Sequence, residues 1–267
     1  MAETSRHDAW QAGDHYEAYM GRWSRQIAPF FLDWLGAESG LDWLDIGCGT
    51  GALSEAILAE REPKSLISID SSEQFVLTAR SMIADRRVGF RVGDAQALFL
   101  ETASRDVIVS ALVLNFVPDK LKALREMKRV ARTGGTVGLY VWDYPGRGVG
   151  FMRAFWDAAA ALDPVALELA EEKRFPFCTP ESLGELMSRA GLVRIDCEPI
   201  EIPTAFADFE DYWQPFTLGA GPAPGYCANL NPEARQRLKK ALHKNLPRRE
   251  DGSIVLKARA WAVKAVT

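Results

Sequence analysis

Leu44-Asp45-Ile46-Gly47-Cys48-Gly49-Thr50-Gly51 is the stretch whose reading decides the fold. It closes an apolar run at 41–46 and opens a helix-like segment at 52–60, so it stands at a strand-to-helix junction. Glycine suits such a junction because the backbone must turn sharply and let a ligand come closer than a Cβ would allow, with helix N–H groups facing a negative group. Three glycines and an acid within seven positions exceed what a bare turn requires. The same letters also spell Gly47-x-Gly49-x-x-Ala52, a dinucleotide fingerprint that tolerates alanine at its third position. Taken alone, the loop leaves both readings open.

Working outward, short apolar runs at 41–46, 65–69, 88–92, 107–111 and 136–142 read as buried strands. Helix-like segments at 52–60, 73–85, 95–99 and 120–131 separate them. Strands alternating with helices imply βαβ units, a parallel sheet and right-handed crossovers that put helices on both faces. Upstream, Trp10, Tyr16, Tyr19, Trp23, Ile27 and Phe30 recur at helical spacing, so 1–40 is expected to form an amino-terminal helical cover. Beyond Tyr144 the rhythm breaks at Pro145-Gly146. The reading there is a cap of two helices, 151–162 and 164–173, within an insertion at 145–178. A helix capped by Thr179-Pro180 and ending at Gly191 follows, then a strand at 192–202. Region 179–267 returns to the core, with a substrate-side insertion at 203–252 that holds the Gly/Pro-rich 219–225 segment and a helix capped by Asn231-Pro232. A closing strand is expected at 254–266. The fold class is therefore α/β, a Rossmann-like doubly wound sheet with helical cap insertions around a cofactor-binding core at 41–144.

Composition narrows the classes. The chain has 267 residues, 48% of them hydrophobic and 25% charged, values near globular averages. Its formal net charge is -4 and no Lys/Arg block stands out, which argues against a nucleic-acid grip that needs a basic face. The basic run at 235–244 reads as the solvated face of a helix. Cys48, Cys178, Cys197 and Cys227 form no Cys-x-x-Cys pair, and none of His7, His15 and His243 pairs at zinc spacing, so neither a metal nor a disulfide framework is expected. No leader and no membrane-spanning run is recognisable, and the expected location is the cytoplasm.

Further acids follow at later strand ends. Asp70 ends the second strand, where a carboxylate accepts hydrogen bonds from both hydroxyls of a ribose. Asp94, after Phe90-Arg91-Val92-Gly93, is placed to accept from the exocyclic amine of an adenine. The ordered set Asp45 through Gly51, Asp70-Ser71-Ser72-Glu73-Gln74-Phe75, Gly93-Asp94-Ala95, Asp106-Val107-Ile108-Val109-Ser110 and Leu124-Arg125-Glu126-Met127 through Gly134-Gly135 resembles the successive motifs of class I S-adenosylmethionine-dependent methyltransferases. The subgroup it is most similar to is that of the ubiquinone/menaquinone-type small-molecule enzymes. That resemblance covers 41–144. It implies a seven-stranded sheet with the last strand inserted antiparallel. It further implies that the 45–51 loop, with Asp45, Gly47, Cys48 and Gly49, holds the methionine part of S-adenosyl-L-methionine. Asp70 and Ser71 would hold the ribose, and Asp94 and Ala95 the adenine. Phe75 would pack on the adenine face, and Ala111 and Leu112 would line the site. An amino-terminal helix often covers the cofactor in this family, which places Tyr16, Tyr19 and Arg22 there, the guanidinium suiting a carboxylate. Cys48 reads as a small residue beneath the cofactor rather than as a nucleophile.

Methyl transfer from a sulfonium is an in-line displacement on an already activated carbon, so alignment and exclusion of water are the protein's main tasks. A base is optional. The candidates for one are Asp143, Tyr19 and His15. Trp142, Tyr144, Tyr212 and Trp213 are the candidate acceptor-binding residues, within an aromatic-rich set that suits a small apolar or aromatic acceptor. The segment Asn115-Phe116-Val117-Pro118 stands where many amino-methylating DNA enzymes carry Asn-Pro-Pro-Tyr, and its departure favours a small molecule over nucleic acid. Two rivals remain: a nicotinamide-dependent oxidoreductase, which lacks a Tyr-x-x-x-Lys pair here, and a non-catalytic S-adenosylmethionine-binding protein.

Overall fold

A computed structural model describes residues 17–219 and 221–267. A π-helical turn, Glu17–Gly21, leads into α1 (Arg22–Leu35). The alternating part then runs β1 (Asp42–Ile46), α2 (Ala52–Glu60), β2 (Ser65–Asp70), α3 (Glu73–Met82), β3 (Val88–Val92), β4 (Arg105–Ala111), α4 (Lys120–Val130) and β5 (Ala131–Trp142). After it come α5 (Gly150–Leu162), α6 (Glu171–Arg174), α7 (Pro180–Arg189), β6 (Val193–Phe206), α8 (Phe209–Trp213), α9 (Pro222–Asn229), α10 (Pro232–Asn245) and β7 (Ile254–Val266). Trp10, Tyr16, His7 and His15 lie outside the described residues.

The sheet has seven strands in the order β3-β2-β1-β4-β5-β7-β6. β1 pairs parallel with β2 and with β4, β2 with β3, and β4 with β5. Every residue of β1 is buried, which is why this strand reads as an unbroken apolar run rather than an alternating one. β7 runs the other way. Thr267 N–H donates to the carbonyl of Gly135 while Asp143 N–H donates to that of Arg259, so residue numbers rise on β5 as they fall on β7. The chain winds from β1 out to β3, then returns to the far side of β1 at β4. The carboxyl ends of β1 and β4 are thus the topological switch point, where open α/β sheets bind ligands.

The chain forms two compact units: 17–22 with Trp142–Pro176 and Glu201–Arg259, and Trp23–Val141 with Phe177–Ile200 and Ala260–Thr267. Within the second unit, α1 presents Ile27, Phe31 and Leu35 as one buried stripe, and the Phe31 ring lies 4.8 Å from that of Tyr140 on β5. Gly138 makes room for this: a Cβ there would stand 2.6 Å from Leu35 Cδ1 and 3.2 Å from Phe31 Cζ. Gly138→Ala is expected to lower stability by about 1–2 kcal/mol through overpacking, read as a shift of the urea midpoint with unchanged slope.

Three local expectations are corrected. Residues 95–99 form no helix; Asp94 and Ala97 make an isolated antiparallel bridge instead. The expected helix at 164–173 is two pieces, a 3₁₀ segment Pro164–Leu169 and the single turn α6, with the break at extended Ala170. In the Gly/Pro-rich stretch, for which no element was expected, Pro222 and Pro224 sit in the first turn of α9, where a missing N–H is tolerated. β6 also runs four residues further than the 192–202 pattern, to Phe206. Among the described residues no helix is long and apolar enough to cross a membrane.

Candidate functional site

The loop after β1 is pinned to the end of β2: the N–H groups of Gly47 and Cys48 both donate to the carbonyl of Ile69, at 2.7 and 2.9 Å. Gly47 and Gly49 both have φ in the left-handed region, +74° and +53°. They need glycine for different reasons. A Cβ on Gly47 would stand 2.3 Å from Val113 Cγ2, whereas a Cβ on Gly49 would meet nothing within 4 Å. Gly47 is thus dictated by packing, and Gly49 opens the loop to whatever approaches it.

Asp45 is fully buried beneath this loop. Its Oδ2 accepts from the Ser54 hydroxyl at 2.6 Å, and Ser54 is in turn 2.9 Å from the Ser68 hydroxyl. Its Oδ1 has no hydrogen-bond partner among the described residues. Burial, assisted by the nearby charge of Asp70, pushes its pKa up to about 7 against the pull of Ser54. Asp70, at the end of β2, accepts from Gly49 N–H at 3.0 Å and from Ser72 N–H at 2.8 Å, so one carboxylate ties the glycine loop to the start of α3. Burial raises its pKa, and the N–H groups of Ser72, Gly49 and Ser71 oppose that rise.

The remaining expected cofactor residues fall in the same unit. Phe75 is buried in the first turn of α3, its N–H on the Ser72 hydroxyl at 3.3 Å. Asp94 is held by the backbone and side chain of Gln96, at 2.8 and 3.1 Å, which lowers its pKa. Ala95 beside it is half-buried, as is Ala111 at the end of β4. Leu112 has φ +61°, a strained conformation for a branched side chain, and its N–H donates to Tyr140 O at 2.8 Å. Cys48 packs with Val76, Ala79 and Phe90, and burial raises its thiol pKa well above the ordinary value, which disfavours the nucleophilic thiolate. Asn115 is not among the expected site residues. It is buried just beyond β4, and its amide nitrogen finds no acceptor among the described residues. Only the tertiary burial of an ordinary-looking Asn marks it.

The other unit gives its candidates different surroundings. Arg22 donates to Asp211 Oδ1 at 2.8 Å and lies over the Phe206 ring, so the carboxylate it meets is one of the chain's own. Asp143 is 2% exposed; Oδ2 takes both Nε and Nη2 of Arg259, at 2.8 and 2.6 Å, and Oδ1 takes Gly146 N–H at 2.9 Å. Those bonds make Asp143 a loop cap tied to β7 rather than an available base. Tyr212 is fully buried and donates to Phe151 O at 2.9 Å, and Trp213 is buried beside it in α8. Trp142 is buried at the end of β5, and the Tyr144 ring lies 5.5 Å from that of Phe175. Tyr16 and His15, expected as cofactor and base residues, lie outside the described residues.

A seven-stranded sheet with an inserted antiparallel β7 and a Gly-rich loop at its switch point defines the class I, Rossmann-like methyltransferase fold. Residues 44–139 match the methyltransferase-domain family. The chain is 35% identical over 158 residues to a demethylmenaquinone methyltransferase of Roseiflexus castenholzii, covering 55% of this chain and 66% of that one. It is 33% identical over 120 residues to a ubiquinone biosynthesis O-methyltransferase of Parvibaculum lavamentivorans, covering 44% of each. The chain thus spans a little under two thirds of the first relative's length and less than half of the second's. A Haemonchus contortus phosphoethanolamine N-methyltransferase 2, solved with S-adenosyl-L-methionine, shares the fold at 18% identity and a TM-score of 0.60, over 100% of this chain and 60% of that one. Residues 44–139 thus match a methyltransferase domain, and over about half its length the chain is similar to quinone methyltransferases.

The residues present fit that cofactor. Asp45 offers a buried, unpartnered acceptor oxygen for a donor such as an α-ammonium, Gly49 leaves open space at the loop, and Asp70 is a carboxylate at the end of β2 beside that loop.

Proposed function

We propose that the protein methylates a small, apolar or aromatic molecule by in-line transfer from S-adenosyl-L-methionine. The observation that carries the reading is the pairing of Asp45's unpartnered oxygen with the Gly49 opening at the switch point of this fold. When bound, the sulfonium supplies a methyl carbon that needs no further activation. The chain's own residues then have three tasks. The 45–51 loop and Asp70 fix the donor, with Asp94, Ala95 and Phe75 around its base. Leu112 and Asn115 shape the space beyond β4. The aromatic residues that follow β5 receive the acceptor and keep water out. The similarity to enzymes named for quinone biosynthesis supports a small-molecule acceptor, and the acidic balance of the chain weighs against nucleic acid.

The oxidoreductase reading loses ground to topology, because the dinucleotide fold has six strands in the order 3-2-1-4-5-6 without an antiparallel seventh between the fifth and sixth. Calorimetry separates the two. S-adenosylmethionine and S-adenosylhomocysteine are expected to bind in the micromolar range while NADH gives no saturable heat; tight NADH binding without response to the other two would sink the proposal. Incubation of methyl-labelled donor with hydroxyaromatic and amine acceptors tests catalysis against mere cofactor binding.

A further inference from the structure

α4 buries Ala123, Leu124, Met127 and Val130, and that stripe leaves Arg125, Lys128 and Arg129 together on another side of the helix. Residues three and four apart on a helix are neighbours, so three like charges meet there and repel one another. Arg129 is balanced: its Nη2 lies 2.7 Å from Glu126 Oε2, and its Nη1 donates to Leu100 O at 2.9 Å and to the Thr102 hydroxyl at 3.4 Å. The side chains of Arg125 and Lys128 make no hydrogen bond, ion pair or ring contact among the described residues. The Lys128 ammonium sits beside Gly191 at the end of α7, where a Cβ would stand 2.5 Å from Nζ.

All three cations line one cavity of about 380 Å³, shared with Thr102 and Ala103 of the loop before β4 and with Thr133 of β5. That volume falls within the roughly 300–1,000 Å³ of small-molecule sites. The cavity stands at the amino-terminal ends of β4 and β5, whereas the 45–51 loop follows the carboxyl end of the parallel β1. The length of β4 separates the two ends, about 20 Å at a rise of about 3.3 Å per residue. This is a second place in the fold, not an extension of the donor site.

The side chains restrict what can sit there. Guanidinium and ammonium groups only donate, and the Thr102 hydroxyl, already accepting from Arg129, has its hydrogen left to donate. The acids nearby do not compensate: Glu126 is engaged by Arg129, and Glu101, exposed beside Thr102, is not part of the lining. A carboxylate guest brings a single charge and two oxygens. A phosphate brings about 1.5 to 2 negative charges and three acceptor oxygens, enough for Arg125, Lys128 and a threonine together, and the guanidinium fork takes it bidentately. Cations in the last turn of a helix also complement its dipole, which accounts for Lys128 and Arg129. Arg125 stands a turn earlier and gains little from that.

We propose that this cavity binds the phosphate or diphosphate group of a soluble small molecule, with Arg125 as the bidentate fork and Lys128 as the second charge. The site holds whether or not the donor reading does.

The test is calorimetry of the full chain in a low-salt buffer free of oxyanions, titrated with inorganic diphosphate, inorganic phosphate and acetate. Diphosphate is expected to saturate one site and to bind about tenfold or more tighter than acetate, with phosphate between them. Arg125→Gln and Lys128→Met are each expected to weaken diphosphate about tenfold, and Thr133→Val about threefold. Arg237→Gln, which removes an exposed cation on α10, should leave it unchanged. A role in the α4 dipole alone would shift the urea midpoint and spare diphosphate binding, which overturns the proposal. So does diphosphate without saturable heat, or a loss in Arg125→Gln no larger than in Arg237→Gln. Arg125 is exposed, so its variant is expected to keep the wild-type midpoint. Phosphatidylcholine vesicles doped with phosphatidic acid are expected not to displace diphosphate; displacement would overturn the soluble guest in favour of a lipid headgroup.

Discussion

Asp70→Ala is expected to weaken S-adenosylmethionine binding by about a hundredfold or more while leaving the chain folded. On the proposed reading, the carboxylate accepts from the two ribose hydroxyls, and hydrogen bonds to a charged group contribute roughly 1.5–3 kcal/mol each. Losing two therefore removes about 3–6 kcal/mol, where each 1.4 kcal/mol is a factor of ten. The same carboxylate also takes Gly49 N–H and Ser72 N–H, so its loss frees the glycine loop from the start of α3 and leaves that loop less organised for the methionine part. Asp70→Asn keeps the volume but exchanges one acceptor oxygen for a donor, and is expected to fall between wild type and alanine. Calorimetry on samples of matched circular dichroism measures this directly. An alanine variant that binds within threefold of wild type removes Asp70 from the cofactor site.

How much of this was legible beforehand depended on whether a residue's role is local. β1 through β5 and their helices could be read because buried parallel strands are continuous apolar runs, and because Gly47 and Asp70 occupy strand ends that sequence punctuation marks. The antiparallel β7 was legible as a strand at 254–266, but its direction came only with the family resemblance. Residues 95–99 failed as a helix because an acid before small and apolar residues looks like a cap, yet Asp94 spends its carboxylate on Gln96 in a turn. The cap insertion was least readable. Ala170 breaks its second helix without a glycine or proline to announce it. Asn115 and Glu171 owe their burial to tertiary packing, and in the sequence Glu171-Glu172 looks like any solvated acidic pair. Arg22 and Asp143 each have the chemistry for the role expected of them, and the structure adds what the sequence did not announce, a partner distant in sequence, Asp211 or Arg259.

Asp45 leads to the second large effect, a pH dependence whose direction follows from its burial. Its pKa is about 7 in the folded chain, against an ordinary value of 3.8 when unfolded. Between those values the folded state holds a proton that the unfolded state has released, so folding stability falls as pH rises through the window and levels off above about 7. At 1.36 kcal/mol for each pKa unit, the whole window amounts to roughly 4 kcal/mol. Asp70, also raised, acts in the same sense, whereas the lowered carboxylates Asp42, Asp106 and Glu126 act in the opposite one. The contribution of Asp45 is therefore isolated by comparison with Asp45→Asn, which cannot titrate. In urea melts without ligand, wild type is expected to lose about 2–3 kcal/mol relative to the variant between pH 5 and 7, and little more between 7.5 and 8.5. The same group couples to the donor. A cationic nitrogen placed against Oδ1 favours the charged carboxylate, so binding expels the proton, and S-adenosylmethionine affinity should rise by up to about tenfold per pH unit below 7. Asp45→Asn should abolish that slope along with most of the binding. A wild-type affinity that stays flat from pH 5.5 to 7.5, or a stability difference that does not change with pH, would mean that Asp45 is a structural carboxylate buried for the sake of Ser54 and Ser68 alone.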